Sequence, residues 1–283
     1  MNTKNFVRGI IYIFLILLAL ICLIPFVMMI INATRSNTEI VKGFTLIPGK
    51  SLVENYKNMM YHMNVSDGIF KGIWLGYKNS FIIAASVTIL SSYFSALTAY
   101  GFYAYEFKGK KILFIFILIM MMIPNQLGLL GFFELNKALK TLDSYIPLII
   151  PSIATPFTVF FMRQYLVSTM HPALIEAARI DGANEIFIFH KIILPIMMPA
   201  IATMAIFTFI GAWNNYLIPL TVIFSPEKYP LSVLMGYLKG GKVAENLGSM
   251  YLAISMSVAP IIIAFIFLSK YIISSISAGS VKE

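Results

Sequence analysis

The sequence has few charged residues. Asp, Glu, Lys and Arg make up 12% of its 283 residues, whereas they make up about 25% of a typical soluble domain. Hydrophobic residues account for 59%, and the mean hydropathy is +0.84. So little charge cannot cover a surface that faces water, which excludes an ordinary soluble domain. The composition therefore predicts a membrane-embedded chain.

Cysteine and histidine are also scarce. Cys22, the only cysteine, falls within the first apolar run, which excludes a disulfide framework and a thiolate metal site. The three histidines, His62, His171 and His190, are too scattered to form a metal site. The sequence also lacks a G-x-x-x-x-G-K-[ST] phosphate-binding loop, a nucleophile elbow and a paired-carboxylate arrangement. We therefore expect no enzyme, no metal and no cofactor bound by this chain.

The charge that is present is unbalanced, with a formal net charge of +9. The basic residues are scattered through loops and form neither a basic face nor a patch interleaved with aromatic residues. Nucleic acid is therefore not an expected partner. Contact with anionic lipid head groups is the simpler interpretation of the positive charge.

Long apolar runs dominate the rest of the sequence. Each of six segments is long enough to cross a bilayer as a helix, so the predicted fold is an all-α integral membrane protein with six transmembrane helices. Pro124 is expected to kink or break the third helix. The predicted spans are 10–31, 79–105, 112–131, 145–162, 192–224 and 251–269.

The predicted spans contain no Asp, Glu, Lys or Arg, and the three histidines also lie outside them. Proton- and ion-coupled pumps usually need ionisable groups inside the membrane. The energy for any transport is therefore expected from a partner docked outside the membrane. Two alternatives stay open, namely a self-contained secondary transporter or facilitator of a small neutral solute and a membrane scaffold without a transport role.

Six spans place both termini on the same side of the membrane. With the N-terminus inside, ten of the 21 Lys and Arg residues fall inside, so the overall count does not decide the orientation. The N-terminus and the short basic turn Lys108–Lys111 favour the N-terminus inside.

One polar stretch, Met170–Pro199, interrupts the apolar pattern. Pro172 suits a first helical position and Gly182 suits the position after a helix end, which predicts a short helix over Ala173–Asp181. On this helix Leu174, Ala177, Ala178 and Asp181 share one side. Small residues on that side would allow close approach of another protein. A docking element and a solvated helix lying on the lipid surface explain this pattern equally well.

A second polar cluster lies near the end of the fifth predicted span. This cluster combines aromatic faces with amide and hydroxyl groups, which are the groups that bind sugars, and it consists of Trp213, Asn214, Asn215 and Tyr216. The third span offers two more amides of this kind, Asn125 and Gln126. Helix packing is the competing interpretation, because a buried Asn often bonds to a neighbouring helix.

The spacing within the polar stretch resembles a known family. It is similar to the EAA loop of type I ABC importer permeases of the carbohydrate-uptake family. The residues that carry this similarity are Glu176-Ala177-Ala178, then Gly182, then Ile192-Ile193-Leu194-Pro195. The resemblance covers nearly the whole chain. It extends to Met122-Ile123-Pro124 with Gln126, FMRQY at 161–165, EAARIDG at 176–182, FIGAWNNYLIPL at 209–220 and SISAGSVKE at 275–283.

The resemblance implies a MetI-like fold in a single permease domain, residues 1–283, with a cytoplasmic EAA coupling loop at 170–195 and both termini cytoplasmic. It implies a complex with a second homologous permease, two ATPase subunits that use ATP and Mg, and an extracytoplasmic sugar-binding protein. The tail 279–283 could reach between the ATPase subunits, and the 225–250 loop resembles one that probes the binding protein. The residues implied in ATPase coupling are Glu176, Ala177, Ala178, Asp181, Gly182, Ile192, Leu194 and Pro195.

The resemblance also implies a solute. A neutral sugar or oligosaccharide is preferred over a phosphorylated solute, because the predicted spans offer no basic groups for a phosphate. The binding protein normally selects the solute, so the particular sugar is left open.

Overall fold

The computed structural model describes residues 3–65, 72–238 and 245–280. These residues form α-helices joined by short turns, without a β-strand among them. The helices are α1 (Thr3–Ala33), α2 (Asn37–Val41), α3 (Leu52–Val65), α4 (Ile73–Ala104), α5 (Lys110–Met122), α6 (Leu129–Ala138), α7 (Ile146–Ile149), α8 (Pro156–Thr169), α9 (Ala173–Ile180), α10 (Glu185–Phe187), α11 (Leu194–Asn214), α12 (Leu217–Val222), α13 (Leu231–Leu238) and α14 (Leu247–Ser280).

Five helical stretches of the described residues are long and apolar enough to cross a membrane. A sixth candidate is a broken pair, Lys110–Met122 with Gln126–Ala138, whose two halves are bent by 88°. With this pair counted as one span, the all-α architecture of six spans is confirmed. The five unbroken stretches are Val7–Ala33, Ile73–Ala104, Ile146–Thr169, Glu185–Asn214 and Leu247–Ile266.

The third span breaks where proline was expected to disturb it. Helix α5 ends at Met122, and Ile123 and Pro124 then adopt extended backbone before a 3₁₀ turn over Asn125–Gly128. Proline cannot donate a helical hydrogen bond, and its ring disfavours helical backbone at the preceding residue. The expected break at Pro124 is confirmed, so the segment predicted at 112–131 is not one continuous helix.

The fifth span begins earlier and ends earlier than 192–224. Its helical backbone runs without interruption over Glu185–Asn214, breaks at Asn215 and resumes in α12. His190 and Lys191 therefore lie within a candidate span. The prediction that the spans exclude ionisable residues is wrong here, because the polar loop contributes the first two turns of this helix. Lys78 and Arg163 likewise fall within Ile73–Ala104 and Ile146–Thr169.

A π-helical stretch, Ile188–Ile193, connects α10 to α11. The Leu194 N–H donates to the carbonyl of Phe189, five residues earlier, which widens the turn just before Pro195. A widened turn accommodates a proline that lacks an N–H. Leu194 and Pro195 thus lie inside a continuous helix and not close to the start of a span that begins at 192.

The described residues group into two compact units. The first comprises Met1–Ile73 with Leu234–Pro260, and the second comprises Trp74–Val233 with Ile261–Glu283. The prediction of one permease domain over 1–283 stays a prediction.

Within the first unit, the segment that follows α1 is held by buried polar groups. The buried Arg35 donates from Nη1 to Asn32 Oδ1 at 3.0 Å and to the Gly43 carbonyl at 3.2 Å. Asn55 Nδ2 donates to the Arg35 carbonyl at 3.0 Å, and Ser249 Oγ donates to the Asn55 carbonyl at 2.9 Å. These bonds join the end of α1, α3 and the start of α14 into one packed unit.

Replacement of Gly248 is expected to disrupt this packing. An alanine Cβ at that position would lie 2.5 Å from the Arg35 carbonyl oxygen and 2.7 Å from Asn55 Cγ. Because a backbone oxygen cannot move aside freely, Gly248→Ala should cost about 1–3 kcal/mol of stability. The thermal inactivation midpoint of the purified complex measures this cost. Gly101→Ala is the matched control, since its Cβ would meet nothing within 4 Å. Equal midpoints for the two variants would contradict the prediction.

The second unit contains a buried apolar core that lies directly against α9. Side chains from α4, α8, α9 and the long 185–214 helix contribute to it, so the short helix of the polar stretch is packed on three long ones. The core residues are Ala96, Ala99, Tyr100, Met162, Leu166, Met170, Ile175, Ala178, Ile188, Phe189, Ile193, Met197 and Met204.

Candidate functional site

The short helix α9 forms nearly as predicted. It begins at Ala173, one residue after Pro172, and Asp181 is its C-cap rather than its last residue. Gly182 follows with φ of +81°, the left-handed conformation that glycine adopts readily. The glycine therefore ends the helix as expected and turns the chain towards α10.

The exposed face of α9 differs from the predicted one. Ile175 and Ala178 are 3% and 9% exposed and pack into the core. Ile180 is 86% exposed at the opposite side of the helix. At 100° per residue, the exposed face is centred about 60° away from the predicted group, because Ala178 drops out of that group while Glu176 and Ile180 join Leu174, Ala177 and Asp181. The docking surface, as we name it, consists of Leu174, Glu176, Ala177, Ile180 and Asp181.

Ala178 therefore cannot offer its side chain to a partner, contrary to the expected grouping with Ala177. A small residue is still needed there, because Ala178 lets the helix approach its own core closely. Ile192 and Leu194 are half-buried beside the same core, and Pro195 is exposed on the long helix. None of these three belongs to the docking surface. Their coupling role stays a prediction.

Polar contacts fix the C-terminal end of α9 to the neighbouring helices. Arg179 Nε donates to Glu185 Oε1 at 2.8 Å, and Tyr100 OH donates to Glu185 Oε2 at 2.6 Å. The hydrogen bond to Glu185 raises the pKa of Arg179 above its usual value. Tyr103 OH donates to the Met170 carbonyl at 2.8 Å, just before α9. The docking surface therefore sits on a support tied to both α4 and the long helix.

Sequence reasoning missed Tyr100, Tyr103 and the particular role of Glu185. The pair Arg179 and Glu185 lies six residues apart across the Gly182 turn, a spacing that no regular helix brings together. Only the left-handed turn at Gly182 brings these two side chains into contact. Nothing in the spacing of the two tyrosines along α4 points to the Glu185 carboxylate or to the Met170 carbonyl as their partners.

The second unit also contains a cavity of about 610 Å³. Gln126, Asn214, Asn215 and Tyr216, four of the residues predicted along a sugar path, line it, and their contact with a solute stays a prediction. Hydroxyl groups and apolar surfaces complete the wall, and none of the described lining residues carries a charge. The other lining residues include Ser80, Ser152, Thr155, Thr158, Thr208, Phe157, Phe207 and Met204.

Trp213 does not line this cavity. It is 4% exposed, its ring stacks on Phe209 with centroids 5.6 Å apart, and the Tyr77 ring lies 6.1 Å away. The helix break after Asn214 turns the next residues towards the cavity while Trp213 stays on the packed face. Among the predicted path residues, Trp213 is thus placed in helix packing, and the side chain of Asn125 lies outside the described residues.

Asn215 has a local structural task as well. Its Oδ1 accepts from the Ile218 N–H at 3.4 Å, and its carbonyl accepts from Ser232 Oγ at 2.7 Å. These bonds hold the break between the long helix and α12. Asn214 is exposed beside it, so of the two amides Asn214 is the one better placed to meet a solute.

Hydrogen bonds to Asp143, which the sequence did not predict, hold the chain segment beside the cavity; we call this set of bonds the Asp143 clamp. Asp143 accepts from Lys228 Nζ at 2.7 Å, from the Ser225 N–H at 2.8 Å and from the Phe224 N–H at 3.0 Å. Burial alone would raise the pKa of Asp143, but the hydrogen bonds from Lys228 and Ser225 lower it well below its usual range. The carboxylate therefore fixes the 222–231 segment.

Two further side chains hold the same segment from α4. Asn79 Nδ2 donates to the carbonyls of Glu227 and Tyr229 at 2.9 and 3.0 Å. The Leu231 N–H donates to Ser80 Oγ at 2.7 Å. Together with Asp143, these residues provide hydrogen-bond partners for the backbone groups of a turn that lies at the cavity wall. Of the 225–250 loop, residues 239–244 lie outside the described residues.

Asp143→Asn is expected to lower stability by about 1–3 kcal/mol, because the charge-assisted bond from Lys228 is lost. Since the folded-state pKa is depressed, the carboxylate contributes fully above about pH 4 and loses its effect only at lower pH. The difference in thermal midpoint from wild type should therefore be constant from about pH 5 to 8.

The matched control for this prediction is Glu134→Gln, since Glu134 is exposed and lies 3.9 Å from Lys137. An exposed pair contributes about 0–1 kcal/mol, so this variant should unfold near the wild-type midpoint. If Asp143→Asn had the same thermal midpoint as Glu134→Gln, the predicted contribution of the Asp143 clamp to stability would be contradicted.

These features together define a class of protein. The structure combines an uncharged cavity among the candidate membrane helices with a separate exposed surface that packs on the same helices. This arrangement suits a transport subunit whose energy comes from a partner protein. Residues 92–278 match the family described as the binding-protein-dependent transport system inner membrane component. The chain belongs to this family and is a permease subunit of an ABC importer.

Comparison with known proteins agrees over nearly the full length. The chain is 34% identical to the arabinooligosaccharides transport system permease protein AraQ of Halalkalibacterium halodurans over 268 residues, 94% of this chain and 93% of the relative. It is 32% identical to the trehalose/maltose transport system permease protein MalG of Thermococcus litoralis over 270 residues, 94% of each chain.

A solved structure shows the same fold. The structure of a bacterial ABC transporter involved in the import of the acidic polysaccharide alginate matches with a TM-score of 0.79 and 23% identity, covering 96% of this chain and 99% of that one.

The family confirms the importer-permease prediction over the self-contained transporter. The chain is a transport subunit and not an enzyme, because the ATPase of such importers is a separate subunit. It works in a membrane-embedded complex with an ATPase and a binding protein.

Proposed function

We propose that this chain and a second homologous permease form a path for a neutral sugar or oligosaccharide, closed and opened by two ATPase subunits. An extracytoplasmic sugar-binding protein delivers the solute. ATP and Mg are used by the ATPases, and this chain binds no cofactor. The observation that carries the proposal is the uncharged cavity with Gln126, Asn214 and Tyr216 in its wall.

The chemistry of the cavity favours a sugar over other solutes. Amide and hydroxyl groups donate to and accept from sugar hydroxyls, and the rings of Tyr216 and Phe207 offer apolar faces to a sugar ring. A phosphorylated solute would need cations near its path, and the described lining offers none. The relatives from Halalkalibacterium and Thermococcus are named for arabinooligosaccharides and for trehalose and maltose, which agrees with a carbohydrate.

We place the docking surface in a cleft of one ATPase subunit. Leu174 and Ile180 present apolar side chains, Glu176 and Asp181 present carboxylates, and Ala177 allows close approach. In this arrangement the 170–195 loop and both termini are cytoplasmic. Closure of the ATPase pair moves the docking surface, and the packed helices follow as a rigid body.

The first experiment is an affinity pull-down from native membranes with a tagged chain. The expected result is recovery of an ATPase and a second permease, identified by mass spectrometry, in equimolar amounts of the two permeases. Recovery of this chain alone as a stable oligomer would overturn the proposal.

The solute is tested separately. The binding protein that belongs to the recovered complex is purified, and its thermal midpoint is measured with neutral oligosaccharides and with sugar phosphates. A midpoint raised only by neutral oligosaccharides supports the proposal. A midpoint raised only by the phosphorylated compounds contradicts the neutral solute.

A further inference from the structure

A second cavity, of about 470 Å³, lies where α4, the following turn and α5 meet α8. We name it the basic pocket, because Lys110, Lys111 and Arg163 line it together with a single carboxylate, Glu106. Phenylalanine rings form the rest of its wall. The pocket belongs neither to the docking surface nor to the solute cavity, and FMRQY, the motif that contains Arg163, has no task in the proposed function.

The positive charge of the basic pocket is only partly neutralised. Lys110 Nζ pairs with Glu106 Oε1 at 2.7 Å and also donates to the Tyr105 carbonyl at 2.8 Å. This pair uses the one carboxylate of the lining. Two cations, Lys111 and Arg163, then face the same space, and the described lining offers no second carboxylate to pair with them. Such a pocket attracts an anion.

Arg163 contributes a guanidinium to the wall of the basic pocket. Its guanidinium lies 4.3 Å from the centroid of the Phe114 ring, and Nη1 donates to Gln164 Oε1 at 3.1 Å. Its Nε, however, is buried and has no hydrogen-bond partner in the described structure. Because this Nε is out of contact with solvent, an anion in the pocket would be met by the terminal guanidinium nitrogens and not by Nε.

The start of α5 adds to the attraction. The helix begins at Lys110 directly after Gly109, which has φ of +87° and no side chain to cap the first N–H groups. A helix N-terminus carries partial positive charge, and lysines in the first turn add to it instead of opposing it. The Lys110 N–H already donates to the Phe107 carbonyl at 3.2 Å, so an anion at this position would act mainly by offsetting the lysines and the partial charge of the helix end.

The anion is expected to be attached to lipid. Beyond the pocket, α5 presents an apolar, outward-facing surface along its length, with Ile112 73% exposed and Leu113, Phe116 and Ile119 also exposed. A phosphate held at the start of α5 would let acyl chains lie along this surface. Basic pockets between membrane helices are known to hold anionic head groups in this way.

We propose that the basic pocket binds the head-group phosphate of an anionic phospholipid. Lys111 and Arg163 contact the phosphate, and the acyl chains extend along α5. This site is independent of the transported solute. If the basic pocket did not bind lipid, the proposed transport function would be unaffected. Lipid binding can also be measured without a solute and without transport.

The test is native mass spectrometry of the purified importer from micelles that contain equal amounts of phosphatidylglycerol and phosphatidylcholine. Wild type should retain phosphatidylglycerol preferentially. Because a basic residue near the surface has a modest attraction for anionic lipid, Lys111→Gln should lower this retention about fivefold, and Arg163→Gln should do the same. Arg163→Lys should retain most of the binding, since it keeps the charge.

Lys137→Gln is the matched control, because Lys137 is an exposed lysine outside the pocket. It should bind phosphatidylglycerol as wild type does. Lys111 is exposed, so its replacement tests the site even if Arg163→Gln fails to assemble. Equal retention in Lys111→Gln and Lys137→Gln, or equal retention of the two lipids by wild type, would overturn the proposal.

A final arm distinguishes lipid from free anion. Inorganic phosphate is added at millimolar concentration before the measurement. Retention of phosphatidylglycerol should be unchanged, because the acyl chains add apolar contact that free phosphate lacks. Displacement of the lipid by phosphate would assign the pocket to a soluble anion and overturn the lipid proposal.

Discussion

Glu176→Lys and Gly182→Asp are each expected to lower ATP-driven uptake at least about thirtyfold, the effect of losing an interface contact worth about 2 kcal/mol. Glu176 is exposed on the docking surface, so its reversal changes the partner contact and not the core. A Cβ at Gly182 would meet nothing within 4 Å, and aspartate tolerates the left-handed backbone better than most residues. Both variants should therefore fold while their docking is impaired.

Uptake of labelled solute into cells that express the whole importer measures this effect. The pull-down from membranes should show that both variants keep the second permease and lose the ATPase. Glu134→Lys is the matched control, because it reverses an exposed carboxylate outside the docking surface. Normal uptake in both test variants would remove the docking surface from the mechanism.

Trp213→Ala is expected to destabilise the chain by about 3–5 kcal/mol, the usual cost of removing a buried aromatic side chain. Its ring packs on Phe209 and near Tyr77 and does not face the solute cavity. Asn214→Ala should change stability by less than about 0.5 kcal/mol, because Asn214 is exposed. It should instead lower the rate of uptake, since its amide lines the cavity.

Two measurements separate these variants, namely the thermal midpoint of the purified importer and the uptake rate per folded complex. Trp213→Phe serves as a control that keeps an aromatic ring in the packed site, and it should lose less stability than Trp213→Ala. If Trp213→Ala kept its midpoint but lost uptake, Trp213 would be a solute contact. If Asn214→Ala transported normally, its amide would have no part in the path.

The two candidate sites lie at opposite ends of one helix. Glu185 at the start of the 185–214 helix anchors the support of the docking surface, and Asn214 at its end lines the cavity. Thirty residues at 1.5 Å each span about 45 Å. Because the helix also shares the core with α9, the proposed displacement of the docking surface would be transmitted to the cavity wall without an intervening flexible loop.

Much of the fold follows from local properties of the chain. Apolar runs determined the membrane class and the approximate positions of the helices, since a long apolar run has no stable place in water. Pro124 determined the break in the third span, and Gly182 determined the end of α9, because each limits the backbone at its own position. The EAA spacing pointed to the correct family, which residues 92–278 confirm.

Helix boundaries were less predictable from the sequence. The polar residues Glu185, His190 and Lys191 suggested a loop, but the structure continues as helix through them. Their side chains find partners, such as Arg179 for Glu185 and Tyr93 for His190, so polarity alone did not end the helix. A partner from another helix cannot be read from local spacing.

The sequence by itself determined the membrane class, the family and the presence of a short helix between two spans. Only the tertiary structure decided which sides of these elements are used. It placed Ala178 in the core, whereas its neighbour Ala177 is exposed. It placed Trp213 in helix packing, whereas Asn214 lines the cavity. It also brought Asp143 into contact with Lys228, 85 residues later in the chain. Periodicity shows which residues share a face, but the direction of that face depends on the helices packed against it.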